Sequence, residues 1–399
     1  MPVRVLHVIP ALASRYGGPS AATFGICSAL ARSGVETLVA STDADGPSRL
    51  DVPVGRVEMY RGVPVIFFPR QFSESLKYSS ALARWLRAHV QEFDLVHVHA
   101  VFSHSTLAAG QACRAAGVPY IVRPLGTLDP WSLRRHRGRK QLMLMLGLKR
   151  VLVQAAAIHY TAVAEQSLAE RELPWLPRGH VSPLGVNDEL FVTSDEPPRT
   201  RQLEVLSVSR LDDKKGVDVL IDAFHMLAAD DALADWRLIV GGDGGPDYVA
   251  QLRQSADRGP ARSRITFCGW LDDRERRERM LTAGVFALPS QQENFGIALV
   301  EAMACGMPAV VSPGVNLGDE LAAAGAGWVV ERRPQALADT LGRAMRDADE
   351  RATRGANAAA FARRFRWDQV THGLQAMYES VIRNQHPGPA AVFNPARPA

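Results

Sequence analysis

The stretch "SQQENFGIALVEAMACGMPAVVS" (290–312) holds two carboxylates, Glu293 ahead of an apolar run and Glu301 inside it. Ala298, Leu299, Val300, Ala302 and Met303 surround Glu301, an unusual setting for a charge unless it faces a ligand. A carboxylate accepts paired hydrogen bonds, which suits two neighbouring hydroxyls on a sugar ring. A helix is expected over 297–304, so Phe295, Gly296 and Ile297 present free helix-start N–H groups that can hold a phosphate. Glu293 then meets hydroxyls beyond that phosphate and Glu301 those on the nucleoside side. The plainer alternatives are a dipole-favoured carboxylate for Glu293 and an exposed helical residue for Glu301.

A second charged loop, "SVSRLDDKKGVDVLIDAF", complements the first. Arg210 leaves a strand end directly, and Lys215 stands just before Gly216, where a helix begins. Two cations beside a helix start form a compact anion trap, fit for a diphosphate. The alternative is a solvated turn in which Lys214 and Lys215 pair with Asp212 and Asp213.

The elements that must position these loops follow an alternating pattern. "VRVLHVI" (3–9), "VETLVAST" (35–42), "VPVIFF" (63–68), "DLVHVHA" (94–100) and "YIVRP" (120–124) read as buried strands, with helices at 76–92 and 104–116. "SDEPPRTRQ" (194–202) reads as a linker. The pattern then restarts with strands at 203–209, 236–242, 264–270, 285–290 and 308–312 and helices between them. The expected fold class is therefore α/β: two Rossmann-like domains, 1–194 and 195–366, whose parallel sheets face across a cleft. An amphipathic helix over 367–385 is expected to pack back on the first domain, followed by a disordered tail, 386–399. Ligands of such sheets sit at the carboxyl ends of strands, where both charged loops fall.

Composition narrows the function classes. The chain has 399 residues, 47% hydrophobic and 22% charged, with a net charge of +4. Four scattered cysteines, Cys27, Cys113, Cys268 and Cys305, suggest neither a zinc site nor a disulfide framework. No apolar run reaches the ~18 residues of a spanning helix, and a cytoplasmic protein is expected.

The ordered motifs resemble the retaining GT-B glycosyltransferases of the large family 4 type, typified by bacterial α-mannosyl- and α-glucosyltransferases. "YGGP" after the first strand, "DLVHVHA", "PLGVN" (183–187), "SRLDDKKG", "GGDGG" (241–245), "FCGW", "ENFGIALVEA" and "RFRWDQV" fall in the family's order and cover nearly the whole chain. The resemblance implies that Arg210 and Lys215 bind the diphosphate of a nucleotide-sugar donor. Glu301 would hold the ribose, and Glu293, Asn294 and the N–H groups near Phe295, Gly296 and Ile297 the donor sugar. Gly17 and Gly18 would let a first-domain loop approach the phosphates, since glycine lacks a side chain. His99 matches the family's histidine near the reacting centre, with His104 as the fallback. His97 is expected on the opposite face of the strand. The family's "PNG" is "PLG" here, which puts a contact from residue 184 in doubt.

The resemblance also implies a front-face reaction in which the departing phosphate takes the acceptor proton, so no general base is named. No aspartate-rich metal motif is present, and no cofactor or metal is expected. From Pro130 to Ala164 there is no Asp or Glu, and "WSLRRHRGRKQLMLMLGLKRVLVQ" mixes cations with Leu and Met. That composition fits an anionic membrane surface or a lipid-linked acceptor, while a core helix with a basic rim is the alternative. Nucleic acid is not expected, because stacking aromatics are lacking. The leading function is hexosyl transfer to a glycan or lipid-linked acceptor in bacterial surface or exopolysaccharide synthesis. Alternatives are a nucleotide-sugar epimerase of the same fold and transfer to a soluble small-molecule acceptor.

Overall fold

A computed structural model describes residues 2–192 and 201–385. Of the linker expected over 194–202 only Arg201 and Gln202 lie among the described residues, and the tail from residue 386 lies outside them. The chain divides into two compact units. One comprises the described residues within Met1–Tyr160, Glu170–Ser182 and Thr371–Ala399; the other comprises Thr161–Ala169 and those within Pro183–Val370. The division is thus not a single cut: a short internal segment goes with the second unit, and most of the C-terminal helix Trp367–Gln385 goes with the first.

Unit one is built on eight strands: β1 Arg4–Val8, β2 Glu36–Thr42, β3 Val57–Tyr60, β4 Val63–Phe68, β5 Leu95–His99, β6 Tyr120–Arg123, β7 Ala157–Tyr160 and β8 Gly179–Val181. Their order is β8-β7-β6-β5-β1-β2-β4-β3, parallel except for β3 against β4. Every residue of β5, β6 and β7 is buried, as runs without alternation require when helices cover both faces. Unit two holds β9 Gln202–Val208, β10 Arg237–Gly241, β11 Ile265–Gly269, β12 Ala283–Leu288, β13 Ala309–Val311 and β14 Gly327–Val329. Their order is β11-β10-β9-β12-β13-β14, parallel throughout. Strands β3, β7, β8 and β14 were not among the strands expected from the sequence.

Both sheets reverse their direction of winding once. In unit one the reversal lies between β1 and β5, and in unit two between β9 and β12. Helices that follow the two strands at such a point leave to opposite sides and open a crevice at the carboxyl edge. The loop from β9 runs to the helix Val217–Met226 and the loop from β12 to the helix Ile297–Ala304. These two loops are tightly joined: the Gln291 N–H donates to the Lys214 carbonyl at 2.6 Å. Gly216 caps the first helix at φ +71°, and a Cβ there would lie 2.2 Å from the Pro289 carbonyl oxygen.

Gly216→Ala therefore meets both a left-handed backbone and a rigid carbonyl. A loss above about 2 kcal/mol is expected in urea unfolding. Wild-type stability in that variant would show that the two loops are not locked together.

Candidate functional site

In unit two, Lys215 and Glu293 form an ion pair across the β9/β12 reversal, with side chains only 13% and 15% exposed. Arg210 is more open and lies 3.5 Å from Asp212 through Nη2. The turn expected as the alternative is thus only partly formed, because Lys215 turns to Glu293 rather than to Asp212 or Asp213. Burial lowers the Lys214 pKa, with nearby Lys215 and Arg210 adding to the effect and Glu293 and Asp212 opposing it. Five charged groups therefore act on one small volume at two helix starts.

The loop bearing Glu293 is pinned from the other side. Its N–H donates to the Gly314 carbonyl, and its own carbonyl accepts from the Asn316 N–H at 3.0 Å. Asn316 Nδ2 donates to the Asn294 carbonyl at 3.1 Å. Asn294 Nδ2 donates to Thr161 Oγ1 at 3.0 Å, while its Oδ1 is buried with no partner among the described residues. Phe295 is buried edge-on against Phe365, so its side chain belongs to the core and only its backbone faces the loop. Gly296 caps the helix at φ +77°, the left-handed region that glycine adopts without strain.

Glu301 is 9% exposed, one turn into that helix. Its Oε2 accepts from Arg276 Nε at 3.0 Å and its Oε1 from Arg276 Nη2 at 3.3 Å. Burial lifts its pKa above the ordinary carboxylate value, and the Arg276 guanidinium works against that rise. The sequence reading missed Arg276, which lies 25 positions away on the helix Asp273–Thr282. A bidentate arginine fixes the carboxylate plane that any hydroxyl pair must approach.

Unit one presents Gly17, Gly18 and His99 at its own reversal. Gly17 has φ +66° and caps the helix Gly18–Arg32, with open space where a Cβ would project. Its backbone angle, more than any close contact, is what calls for glycine. His99 ends β5 fully buried, its Nε2 3.0 Å from His7 Nδ1. His104 is half-buried at the start of the next helix, where its Nδ1 accepts from the Ser79 N–H. The expectation that His97 and His99 face opposite ways is wrong. Side chains alternate with period two, so residues two apart share a face, and the rings lie 4.3 Å apart.

That shared face carries an unforeseen polar row. His7 pairs in register with His97, and His99 with Arg123. His159 Nε2 lies 2.8 Å from the Ser182 carbonyl, which can only accept, so Nε2 carries the proton. His159 Nδ1 then accepts from His97 Nε2 at 3.2 Å, and His97 Nδ1 accepts from the Tyr378 hydroxyl at 2.7 Å. This one chain of donors, from the C-terminal helix to the carbonyl that follows β8, fixes the tautomers of His97 and His159. Burial pushes His7 and His159 down to about 3 and His97 and His99 well below their ordinary value, with Arg123 adding to each. His7, His97 and His99 each bring a nitrogen within 4.8 Å of the others, a spacing that could ligate a metal. The chemistry opposes this: both His97 nitrogens are engaged, His7 and His99 bond each other, and Arg123 brings positive charge. The signal was visible in the sequence as a histidine inside each apolar strand, "VLHVI", "LVHVH" and "AIHY".

Residues 17–185 match the family described as Glycosyl transferase 4-like domain, and residues 192–361 match Glycosyl transferases group 1. The chain belongs to the family 4 type of GT-B glycosyltransferases. It is similar to D-inositol 3-phosphate glycosyltransferase of Xylanimonas cellulosilytica, at 28% identity over 92% of this chain and 93% of that one. A GDP-mannose-dependent α-(1-6)-phosphatidylinositol dimannoside mannosyltransferase of Mycobacterium tuberculosis is 35% identical over 40% of this chain and 42% of its own. Among solved structures, Anabaena HepE in complex with UDP and glucose has a TM-score of 0.73 at 23% identity, covering 95% of this chain and all of that one. Sucrose-phosphate synthase from Thermosynechococcus elongatus has a TM-score of 0.76 at 20% identity, covering 96% and 100%. At such identities the two structures speak to the fold.

For this glycosyltransferase the histidine row predicts acid sensitivity. A folded pKa below the unfolded value means that the fold refuses protons the unfolded chain accepts. Stability is thus complete above pH 6.5 and falls as pH drops toward the folded values. Each buried histidine contributes a slope of roughly 1 kcal/mol per pH unit in that window. His159→Gln should flatten the slope by about one such increment in urea titrations at stepped pH. A stability independent of pH from 6.5 to 4 would refute the neutral row.

Proposed function

We propose that this glycosyltransferase is a retaining, metal-independent hexosyltransferase using a nucleotide-diphosphate sugar. The Lys215–Glu293 pair across the β9/β12 reversal carries the reading. It brings a cation suited to a diphosphate and a carboxylate suited to sugar hydroxyls together at two helix starts. Lys215 and Arg210 bind the diphosphate with the backbone N–H groups at Phe295, Gly296 and Ile297. Glu293 and Asn294 orient the donor sugar, and Glu301, held by Arg276, takes the ribose hydroxyls. Within unit one, Gly17 and Gly18 open the helix at that unit's own reversal, and His99 ends β5 fully buried.

In the step itself, the acceptor oxygen bonds to the anomeric carbon on the face from which the diphosphate leaves. The bond from that carbon to the phosphate oxygen breaks, and the departing oxygen takes the acceptor proton. Lys215 and Arg210 stabilise the charge that develops there, the task a cation performs elsewhere. The acceptor is a lipid-linked glycan of a bacterial surface or secreted polysaccharide, met at the inner face of the cell membrane. The basic character of residues 130–164 supports this. A soluble phosphorylated acceptor is the second reading, favoured by the name of the Xylanimonas relative.

The charged residues separate by calorimetry. Lys215→Ala and Arg210→Ala should each weaken nucleoside diphosphate binding by about 1.5–3 kcal/mol. Glu301→Gln should also weaken it, whereas Glu293→Gln should keep or tighten it, because Lys215 is released, and should abolish transfer. Equal losses of nucleotide affinity in both glutamate variants would remove the sugar role of Glu293.

Stereochemistry and metal use are read from one reaction. The anomeric proton spectrum should show an α-linked product formed in excess chelator. A β linkage overturns retention, and a rate lost to EDTA and restored by magnesium or manganese overturns metal independence.

A further inference from the structure

The basic segment resolves into two parts with different fates. After Gly147, the helix Lys149–Val153 and the residue before it turn Leu148, Val151 and Leu152 into the core, all fully buried. Before Gly147, the helix Arg137–Met143 continues into a wide helical turn over Leu144–Leu148. There Leu142, Met145 and Leu146 are 51%, 75% and 66% exposed. Gly147, at φ 117°, breaks the helical path between the two parts. The core reading of this segment therefore holds only for its second half.

Three large apolar side chains at i, i+3 and i+4 in water form a patch, a different matter from single exposed residues. Each leaves apolar surface in water that a partner could cover. The rim decides what kind of partner. Arg137, Arg139, Lys149 and Arg150 are all exposed around the tip, and no acidic residue occurs from Pro130 to Ala164. A second copy would bring the same cations against these. An anionic bilayer offers negative headgroups to the rim and acyl chains to the tip.

We propose that Leu142, Met145 and Leu146 insert shallowly into an anionic lipid bilayer, with Arg137, Arg139, Lys149 and Arg150 seated among its headgroups. This deepens the membrane side of the proposed function, yet no substrate or turnover enters it.

The test is co-sedimentation with vesicles of equimolar phosphatidylglycerol and phosphatidylcholine against phosphatidylcholine alone, at low and physiological salt. The wild type should bind the anionic vesicles at both salts and leave the neutral ones. Changing Arg137, Arg139, Lys149 and Arg150 to Gln should lower binding by on the order of 1,000-fold, given the ~1 kcal/mol that each near-surface cation contributes. The triple variant Leu142→Ser, Met145→Ser, Leu146→Ser should keep low-salt binding and lose the salt-resistant part. Nucleoside diphosphate affinity should be unchanged in both, which separates this result from the fate of the donor site. Undiminished salt-resistant binding in the triple variant overturns insertion. A wild type that ignores anionic vesicles overturns the proposal altogether, and a dimer lost in the triple variant would then assign the tip to a second copy.

Discussion

Everything at the candidate donor site depends on where the second sheet changes direction. A parallel sheet must return each connection over one of its faces, and at β9 and β12 the connections leave to opposite sides. Loops that would diverge are instead held together, with the Gly216 α-carbon against the Pro289 carbonyl and Gln291 bonded to Lys214. Only a residue without a Cβ allows that approach. The approach in turn sets Lys215 within reach of Glu293, 78 positions away in the chain. The ion pair is therefore a consequence of topology first and of charge second.

The two units handle polarity in contrasting ways. Unit two sets its charges in opposite-sign pairs, Lys215 with Glu293 and Arg276 with Glu301. Buried pairs of this kind add little net stability, but removing one partner leaves a costly lone charge. Unit one buries histidines and keeps them neutral, each donor on the row from Tyr378 to Ser182 assigned to one acceptor. Such a row is rigid because no member can rotate without orphaning a neighbour. It also ties the C-terminal helix to β5 through Tyr378, so that a helix at the end of the chain completes a sheet begun at its start.

What could be read from the sequence was whatever local pattern controls. Helix starts at His104 and Ile297, the buried strands of both sheets and the charged loops at their carboxyl ends all follow from periodicity and caps. Partners supplied by strand order could not be read that way. Arg276 looked like one cation in "DRERRERM", and only the packing of two helices brings it to Glu301. His7 and His97 meet because β1 and β5 are neighbours in register, a fact that needs the sheet order. His97 stands on the same face as His99 for a purely local reason, since residues two apart in a strand point the same way. The apolar run 142–152 was ambiguous for a physical reason, since one glycine divides it between core and solvent.

The Lys215–Glu293 pair bears on how a donor could enter the proposed site. Without ligand, each charge is already satisfied by the other, so neither side chain has to remain half-buried and alone. A nucleotide-diphosphate sugar offers replacements for both at once. Its phosphate oxygens can take the lysine, and its hydroxyls can donate to the glutamate. The exchange substitutes one charged hydrogen bond for another on each side, and the cost of breaking the pair is offset as the new contacts form. A free nucleoside diphosphate replaces only the lysine's partner and leaves Glu293 unmatched. Under the proposed function the pair would discriminate in favour of the intact donor over its product, by the same contact that the strand reversal imposes.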